Sequence, residues 1–331
     1  MFAMQEPSLA KIDLHRHLDG NVRLQTILEL GDSFGIELPA WDVAGLRPHV
    51  VVDTPQPGLL AFLARFRWMV GVLGNLDACR RIAYENVEDA AYEKIDYLEL
   101  RFSPVFMALA HGLPVAGVVE AVADGVRAGE SDFGVPTRLI GTMSRTFGVE
   151  SCAAELAALL SSKNALVAID LAGDEAGFPP ELFEMHFRAV REAGLPVTIH
   201  AGEAGGAPGV WTAIQRLQAV RIGHGVRAMD DPALIDYLAE HRIGVECSLT
   251  SNVQTSTVPD YGAHPIRLML EAGVLATLNT DDPGISGIDL DHEYQVAAVA
   301  AGLSPDHIAQ ARRNAAAIAF DGGAVAALKL A

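Results

Sequence analysis

The sequence predicts an α/β fold: a (β/α)8 TIM barrel with a helical insertion after strand 1 covering the C-terminal mouth, built as one domain over residues 1–331. Three observations predict it. Eight short apolar runs recur along the chain, amphipathic stretches separate them, and no low-complexity tract or Gly/Ser linker divides the 331 residues. Strand–helix alternation repeated eight times is the pattern of a closed parallel barrel, because eight is the number that closes. The rival is an open doubly wound sheet. The length exceeds the roughly 100–200 residues of a typical domain, but α/β barrels often run to about 250 or more as one unit.

The runs are KIDLHRHL (11–18), DYLELRFSP (96–104), PTRLIGTMS (136–144), ALVAIDLAG (165–173), PVTIHAGE (196–203), AVRIGHGV (219–226), IGVECSLTS (243–251) and VLATLNTDD (274–282). Several are rich in Val, Ile and Leu, as strands buried on both faces should be. Between them, PPELFEMHFRAVREAG (179–194) has Pro near its start, apolar residues at helical spacing and Gly at its end, and DDPALIDYLAEHRIG (230–244) opens with Asp and Pro and again closes with Gly. The segment 21–95 is long and mostly helical in pattern, and is the candidate cover. Within LLAFLARFRWMV (59–70), Phe62 and Phe66 stand at i, i+4 on one helix face. Such a stripe is ordinarily core; its place in the insertion suggests a lid.

Composition narrows the function. Hydrophobic residues make up 50% of the chain, enough for a large core. The net charge of −18 repels phosphate backbones and anionic membranes, so neither nucleic acid nor a membrane is the expected partner. Cys79, Cys152 and Cys247 form no CxxC pair and are odd in number, which suits reduced thiols and a cytoplasmic location. The opening MFAMQEPSLAK lacks the basic and apolar regions of a signal peptide, and no run reaches about 18 uninterrupted apolar residues.

Reactive residues fall at the ends of the runs. His15, His17 and Asp19 end the first, Gly173 the fourth, His200 and Glu203 the fifth, His224 the sixth, and Asp281 and Asp282 the eighth. In a parallel barrel all C-terminal strand ends meet at one face, where active sites sit. Residues i and i+2 on a strand point the same way. His15 and His17 can then grip one ion from one side, with His200 and Asp281 reaching it from across the barrel. Imidazole with carboxylate suits Zn²⁺, with Fe²⁺, Co²⁺ or Ni²⁺ possible. A lone histidine in an apolar strand is ordinarily a satisfied core residue, and seven of the eleven here, such as His49, His186 and His241, are given that reading or a surface one. Glu203, three residues past a proposed ligand, is free to act as an acid or base. Glu99, Arg101 and Ser103 share one face of ELRFS and read better as a buried polar layer than as catalytic groups.

DLHRHLDGNVR, YLELRFSP, AIDLAGDE, TIHAGEAGG, RIGHGV, LTSNVQT and LNTDDP occur in that order. The set resembles the bacterial type of adenosine deaminase, within the amidohydrolase superfamily, over nearly the whole chain from about residue 8. The resemblance implies one Zn²⁺ held by His15, His17, His200 and Asp281. It implies substrate contacts from His17, from Asp19 near the ribose 5′-hydroxyl, from Gly173 at purine N3 and from Asp282 at N7, and a catalytic pair in Glu203 and His224. The substrate class is a small-molecule nucleoside, adenosine or 2′-deoxyadenosine, hydrolysed to the 6-oxo product and ammonia in purine salvage. The segment ECSLTSN departs from the Cys-Pro-Trp segment of animal members, which bears on the pocket wall.

The chemistry of the groups fits such a reaction. Glu203 protonates ring N1 as water adds at C6, so its carboxyl must be held protonated. His224 takes a proton from the attacking water and holds it in line. Asp282 must be protonated, since a carboxylate facing N7 would repel it. The nearest rival is a deaminase of adenine or another 6-aminopurine; Asp19 favours a nucleoside, because a 5′-phosphate beside it would meet like charge. A binuclear amidohydrolase would place a modified lysine at the end of run four, where IDLAG stands and Lys163 lies too early. A metal-bound barrel without activity would be expected to have lost Glu203 or His224. The H-x-E and P-C-x-x-C patterns of nucleic-acid zinc deaminases are absent.

Overall fold

A computed structural model describes residues 9–328. The stretch MFAMQEPS, part of the N-terminus read for a leader, and the last three residues of the 1–331 domain lie outside the described residues. Eight strands follow the eight runs: β1 (Ile12–His17), β2 (Tyr97–Phe102), β3 (Thr137–Ser144), β4 (Leu166–Ala172), β5 (Thr198–Ala201), β6 (Arg221–His224), β7 (Gly244–Cys247) and β8 (Leu275–Leu278). Each pairs in parallel with the next, β1 to β4 and β5 to β8.

Two sparse seams join these halves into a barrel. At the first, Ile169 N–H donates to Pro196 O at 3.1 Å, and Pro196, lacking an N–H, cannot extend the ladder. At the second, His17 N–H donates to Asp281 O and Asp281 N–H to His15 O, both at 2.7 Å. Side chains reinforce this closure: Leu14 N–H donates to Asn279 Oδ1 at 3.0 Å, and Thr280 Oγ1 donates to Asp13 Oδ2 at 2.6 Å. The polar turn NTDDP is thereby bound to β1, and its two aspartates come out beside the histidines.

The lower barrel interior carries charge instead of the usual aliphatic layers. Glu246 of β7 accepts from Arg101 and Arg221 at 2.6 Å each, and Arg221 also pairs with Glu99 at 2.6 Å. Arg101 reaches Asp170 of β4 at 3.0 Å. All five are fully buried or nearly so. Buried charges persist only when paired and hydrogen-bonded, and here each has a partner across the barrel axis. Glu99 and Arg101 therefore sit in the polar layer that the sequence suggests. Ser103 lies beyond the strand, where it caps the helix Pro104–Leu109 and donates from Oγ to Glu155 at 2.7 Å.

Three local readings need correction. The helix of 230–244 ends at Glu240, and Gly244 opens β7; the left-handed turn between them falls on Arg242 (φ 55°). The stretch 59–70 is not one helix but Leu59–Leu63, a tighter turn Ala64–Phe66, and Arg67–Val70. Within the proposed insertion, the helix Leu76–Tyr92 packs on Val115–Phe133 in the outer ring, as an ordinary crossover helix does. The added material is thus 18–75, which includes the helices Leu24–Phe34 and Val43–Val50.

Candidate active site

The C-terminal ends of β1, β5 and β8 bring four donors to one point. His15 Nε2 and His17 Nε2 lie 3.1 and 3.2 Å from His200 Nε2, and both face Asp281 Oδ1, at 3.2 and 3.4 Å. All four residues are buried. Donors bound 2.0–2.1 Å from one tetrahedral ion stand about 3.3–3.4 Å apart. The arrangement fits a divalent metal. It does not fit a hydrogen-bonded cluster, because the histidines turn their other nitrogens to carboxylates: His15 Nδ1 to Glu246 at 2.7 Å and His200 Nδ1 to Asp170 at 3.0 Å. Those carboxylates take the Nδ1 protons and leave Nε2 lone pairs converging. Burial keeps His15 and His200 below the ordinary imidazole range, hence neutral, as ligands must be. Burial alone would raise the Asp281 carboxyl, but the neighbouring imidazoles of His224 and His15 outweigh it and hold it well down.

Asp170 and Glu246 were not singled out from the sequence. The available signal is a lone acid inside an apolar run, AIDLAG and GVECSL, since such acids are almost never fully buried unless paired. Their partners lie 30 and 231 positions away, beyond any local pattern.

Around the ligand set stand the other expected groups. Glu203 and His224 meet across 3.7 Å, and His224 Nε2 is 3.9 Å from Asp281 Oδ2. Both separations exceed a direct hydrogen bond and suit a bridging oxygen. Burial, reinforced by Asp281 and Glu175 and opposed by His224, pushes the Glu203 carboxyl up to about 7. Burial disfavours charge on His224, yet Glu203 and Asp281 raise its pKa overall. Asp282 is held well above the usual carboxylate range by burial and by Asp281, Asp19 and Glu203. Two of these ligand-side residues sit in the left-handed region, His224 and Asp281, each at φ 61°. That conformation is uncommon for non-glycine residues and clusters at functional sites.

Glu175 is a further residue that the sequence left unassigned. Its carboxylate accepts N–H groups from Gly202, Glu203, Ala204 and Gly205 at 2.7–3.1 Å. The GEAGG turn is thus wound around one buried anion, which fixes where Glu203 points.

Three cavities adjoin this cluster: one over the GEAGG turn is lined by Glu203, Thr255 and Arg227, and two others meet at His17. The smaller of these two is lined by His17, His200, Glu203, His224, Asp281 and Asp282, together with Phe62 and Phe66 from the insertion. The larger, about 280 Å³, is mostly apolar and shares His17, Phe66 and Gly173; it also reaches Asp19, Phe106 and Phe147. Phe62 and Phe66 pack with ring centroids 6.4 Å apart. Asp19 Oδ2 accepts from Ser103 N–H at 3.2 Å, while its Oδ1 is buried without a partner. Gly173 has φ 106°, a conformation that strains any side chain, and a Cβ there would come within 2.4 Å of Thr146 Oγ1, so a larger residue would displace the Thr146 side chain.

Comparison with known proteins agrees with this geometry. The adenosine deaminase family model matches residues 10–324. An adenosine deaminase from Vibrio parahaemolyticus is 61% identical over 313 residues, covering 95% of this chain and 94% of the relative. Among solved structures, an adenine deaminase from Arthrobacter aurescens aligns with TM-score 0.89 at 28% identity, over 97% of this chain and 98% of the other. An amidohydrolase from Burkholderia ambifaria with bound zinc aligns with TM-score 0.88 at 28% identity, over 98% of this chain and 89% of the other. The chain belongs to the adenosine deaminase family.

Proposed function

We propose that this protein hydrolyses adenosine and 2′-deoxyadenosine to inosine and 2′-deoxyinosine, releasing the 6-amino group as ammonia. The observation that carries the reading is one buried cavity in which a four-donor metal set meets Glu203, His224 and Asp282, with burial pushing both carboxyls toward the protonated form. Two acids lining one cavity can donate to purine N1 and N7 respectively. Zinc is the metal proposed for His15, His17, His200 and Asp281, supported by the donor chemistry and by the zinc-bound relative. When bound, such an ion supplies a nucleophile near neutral pH by acidifying water.

The chain's own residues do the rest. Asp282 donates to N7 and sets the ring plane. Glu203 delivers its proton to N1 as the oxygen adds at C6, so negative charge does not accumulate on the ring. His224 and Asp281 orient the attacking oxygen between them. Asp19 offers its Oδ1, which has no hydrogen-bond partner, to a ribose hydroxyl, and Gly173 lines both cavities where the purine edge would lie. Phe62 and Phe66 act as a lid that excludes water from the reacting carbon. We also propose that the chain forms one barrel domain over 1–331, supported by a continuous core from Leu18 to Ala311. Three unpaired buried cysteines support a cytoplasmic location. No described helix is long and apolar enough to cross a membrane.

A nucleoside is favoured over a nucleotide because neither of the two cavities that meet at His17 is lined by Lys or Arg, while Asp19 would face the phosphate. The adenine-deaminase alternative leaves Asp19 and the larger cavity without a ligand group. Parallel incubation with adenosine, 2′-deoxyadenosine, adenine and AMP, followed by the ultraviolet change from 6-amino to 6-oxo purine, tests the reading. Conversion of the two nucleosides is expected; faster conversion of adenine or AMP would overturn it.

A further inference from the structure

His224 is held from behind by three hydrogen bonds in series. Asn252 Nδ2 lies 3.0 Å from His224 Nδ1, Asn252 Oδ1 lies 3.1 Å from His264 Nε2, and the backbone N–H of Ile266 donates to His264 Nδ1 at 3.2 Å. Asn252 and His264 are buried, and neither touches the ligand set.

The direction of the whole series follows from its last member. A backbone N–H can only donate, so His264 Nδ1 is a lone pair and a neutral His264 carries its proton on Nε2. Burial drives the His264 pKa down to about 3, which keeps the ring neutral. Its Nε2–H requires an acceptor, so the Asn252 atom facing it is the oxygen. The Asn252 NH2 then faces His224 Nδ1, which must itself accept, so this contact opposes the imidazolium that Glu203 and Asp281 favour. Rotating the Asn252 amide would set donor against donor at His264 and leave buried polar groups unsatisfied.

We infer that Asn252 and His264 are positioning residues that hold His224 in the tautomer with its proton on Nε2, facing the reacting atoms. The inference rests on the proposed deamination for its consequence, not for its geometry. On the open side, Nε2 stands 3.9 Å from Asp281 Oδ2, a carboxylate acceptor that matches a proton there. His224 therefore meets the attacking oxygen as a hydrogen-bond donor. This replaces the expectation that it takes a proton from water through Nε2.

Asn252→Asp tests this with almost no change in shape. An aspartate accepts at both oxygens: it still satisfies His264 Nε2–H, but its other oxygen calls for a proton on His224 Nδ1. The readout is the ring-nitrogen NMR spectrum of the metal-loaded protein labelled with 15N-histidine. In the parent, His224 should show an unprotonated Nδ1 and a protonated Nε2; Asn252→Asp should move the proton to Nδ1. With it, kcat for adenosine should fall about a hundredfold or more, the size of an acid–base contribution, with KM within a few-fold and metal content unchanged. His264→Gln, whose amide can still donate to Asn252, should keep the parent spectrum and kcat, whereas His264→Leu should lose both. A protonated Nδ1 on His224 in the parent would overturn the inference without recourse to any variant, as would an Asn252→Asp protein with parental spectrum and kcat. The spectrum needs no substrate, so loss of the proposed activity and loss of this tautomer are separate results.

Discussion

Gly20 and Asp282 occupy nearly the same space: a Cβ at Gly20 would stand 1.7 Å from Asp282 Oδ1. The glycine that ends DLHRHLDG thus makes room for a carboxyl 262 positions later. In Gly20→Ala one of the two must move, and displacements of about 1 Å at a reacting group can cost about a hundredfold. Steady-state kinetics should show a loss of that order in kcat/KM for adenosine, with the metal content unchanged.

Asp282 itself separates a donor from an acceptor. Asn can present an NH2 to N7, whereas Ala presents nothing. Binding of a 6-oxo or 6-amino purine nucleoside, followed by calorimetry, should weaken much less in Asp282→Asn than in Asp282→Ala. Equal losses would show that no proton is donated at that position.

Glu246 serves two masters, the His15 Nδ1 proton and the Arg101–Arg221 pair. In Glu246→Gln the amide nitrogen must face one of these donors. Metal affinity should drop about 10–100-fold, the usual effect of losing a ligand's outer partner. Competition with a chelator measures this directly. Thermal stability should also fall, because two buried arginines lose part of their counter-charge.

Glu175→Gln addresses the GEAGG turn. An amide nitrogen replaces one of two oxygens, and three of the four N–H groups converge on a single oxygen, Oε2. The turn should loosen and Glu203 should lose its aim. A reduced kcat with nearly normal metal content is expected, and the amides of residues 202–205 should exchange hydrogen faster.

The pH dependence follows from Glu203. On the proposed mechanism its acid form is the active one, and its pKa is raised to about 7 by burial, aided by Asp281 and Glu175 and opposed by His224. Activity dependent on that proton is present below this pKa and lost above it. The profile of kcat/KM, which reports the free enzyme's groups, should decline on the alkaline side as pH rises through about 7. In Glu203→Gln the fold and metal should persist, the rate should drop by about two to four orders of magnitude, and the limb should vanish.

Much of the molecule was legible because its signals are local. His15 and His17 alternate at the strand period and so must share a side, and eight apolar runs of strand length with helices between leave few ways to close. Positions of the C-terminal strand ends follow from the parallel topology, so Glu203, His224, Asp281 and Asp282 could be placed at one rim without coordinates. The helix breaks at 59–70 and the role of Leu76–Tyr92 were not legible, since helical periodicity does not say which layer a helix joins.

What the sequence determined alone is the identity and strand position of the groups that face the centre. What only the tertiary structure decided is how those groups are held: Glu246 behind His15, Asp170 behind His200, Glu175 under Glu203, and His264 through Asn252 behind His224. These contacts join elements distant in the chain, and hydrogen bonds depend on atoms meeting within about 3 Å, a condition no periodicity encodes. The physical reason is the same in each case. A buried charge or ring must find its partner wherever the packed barrel brings one.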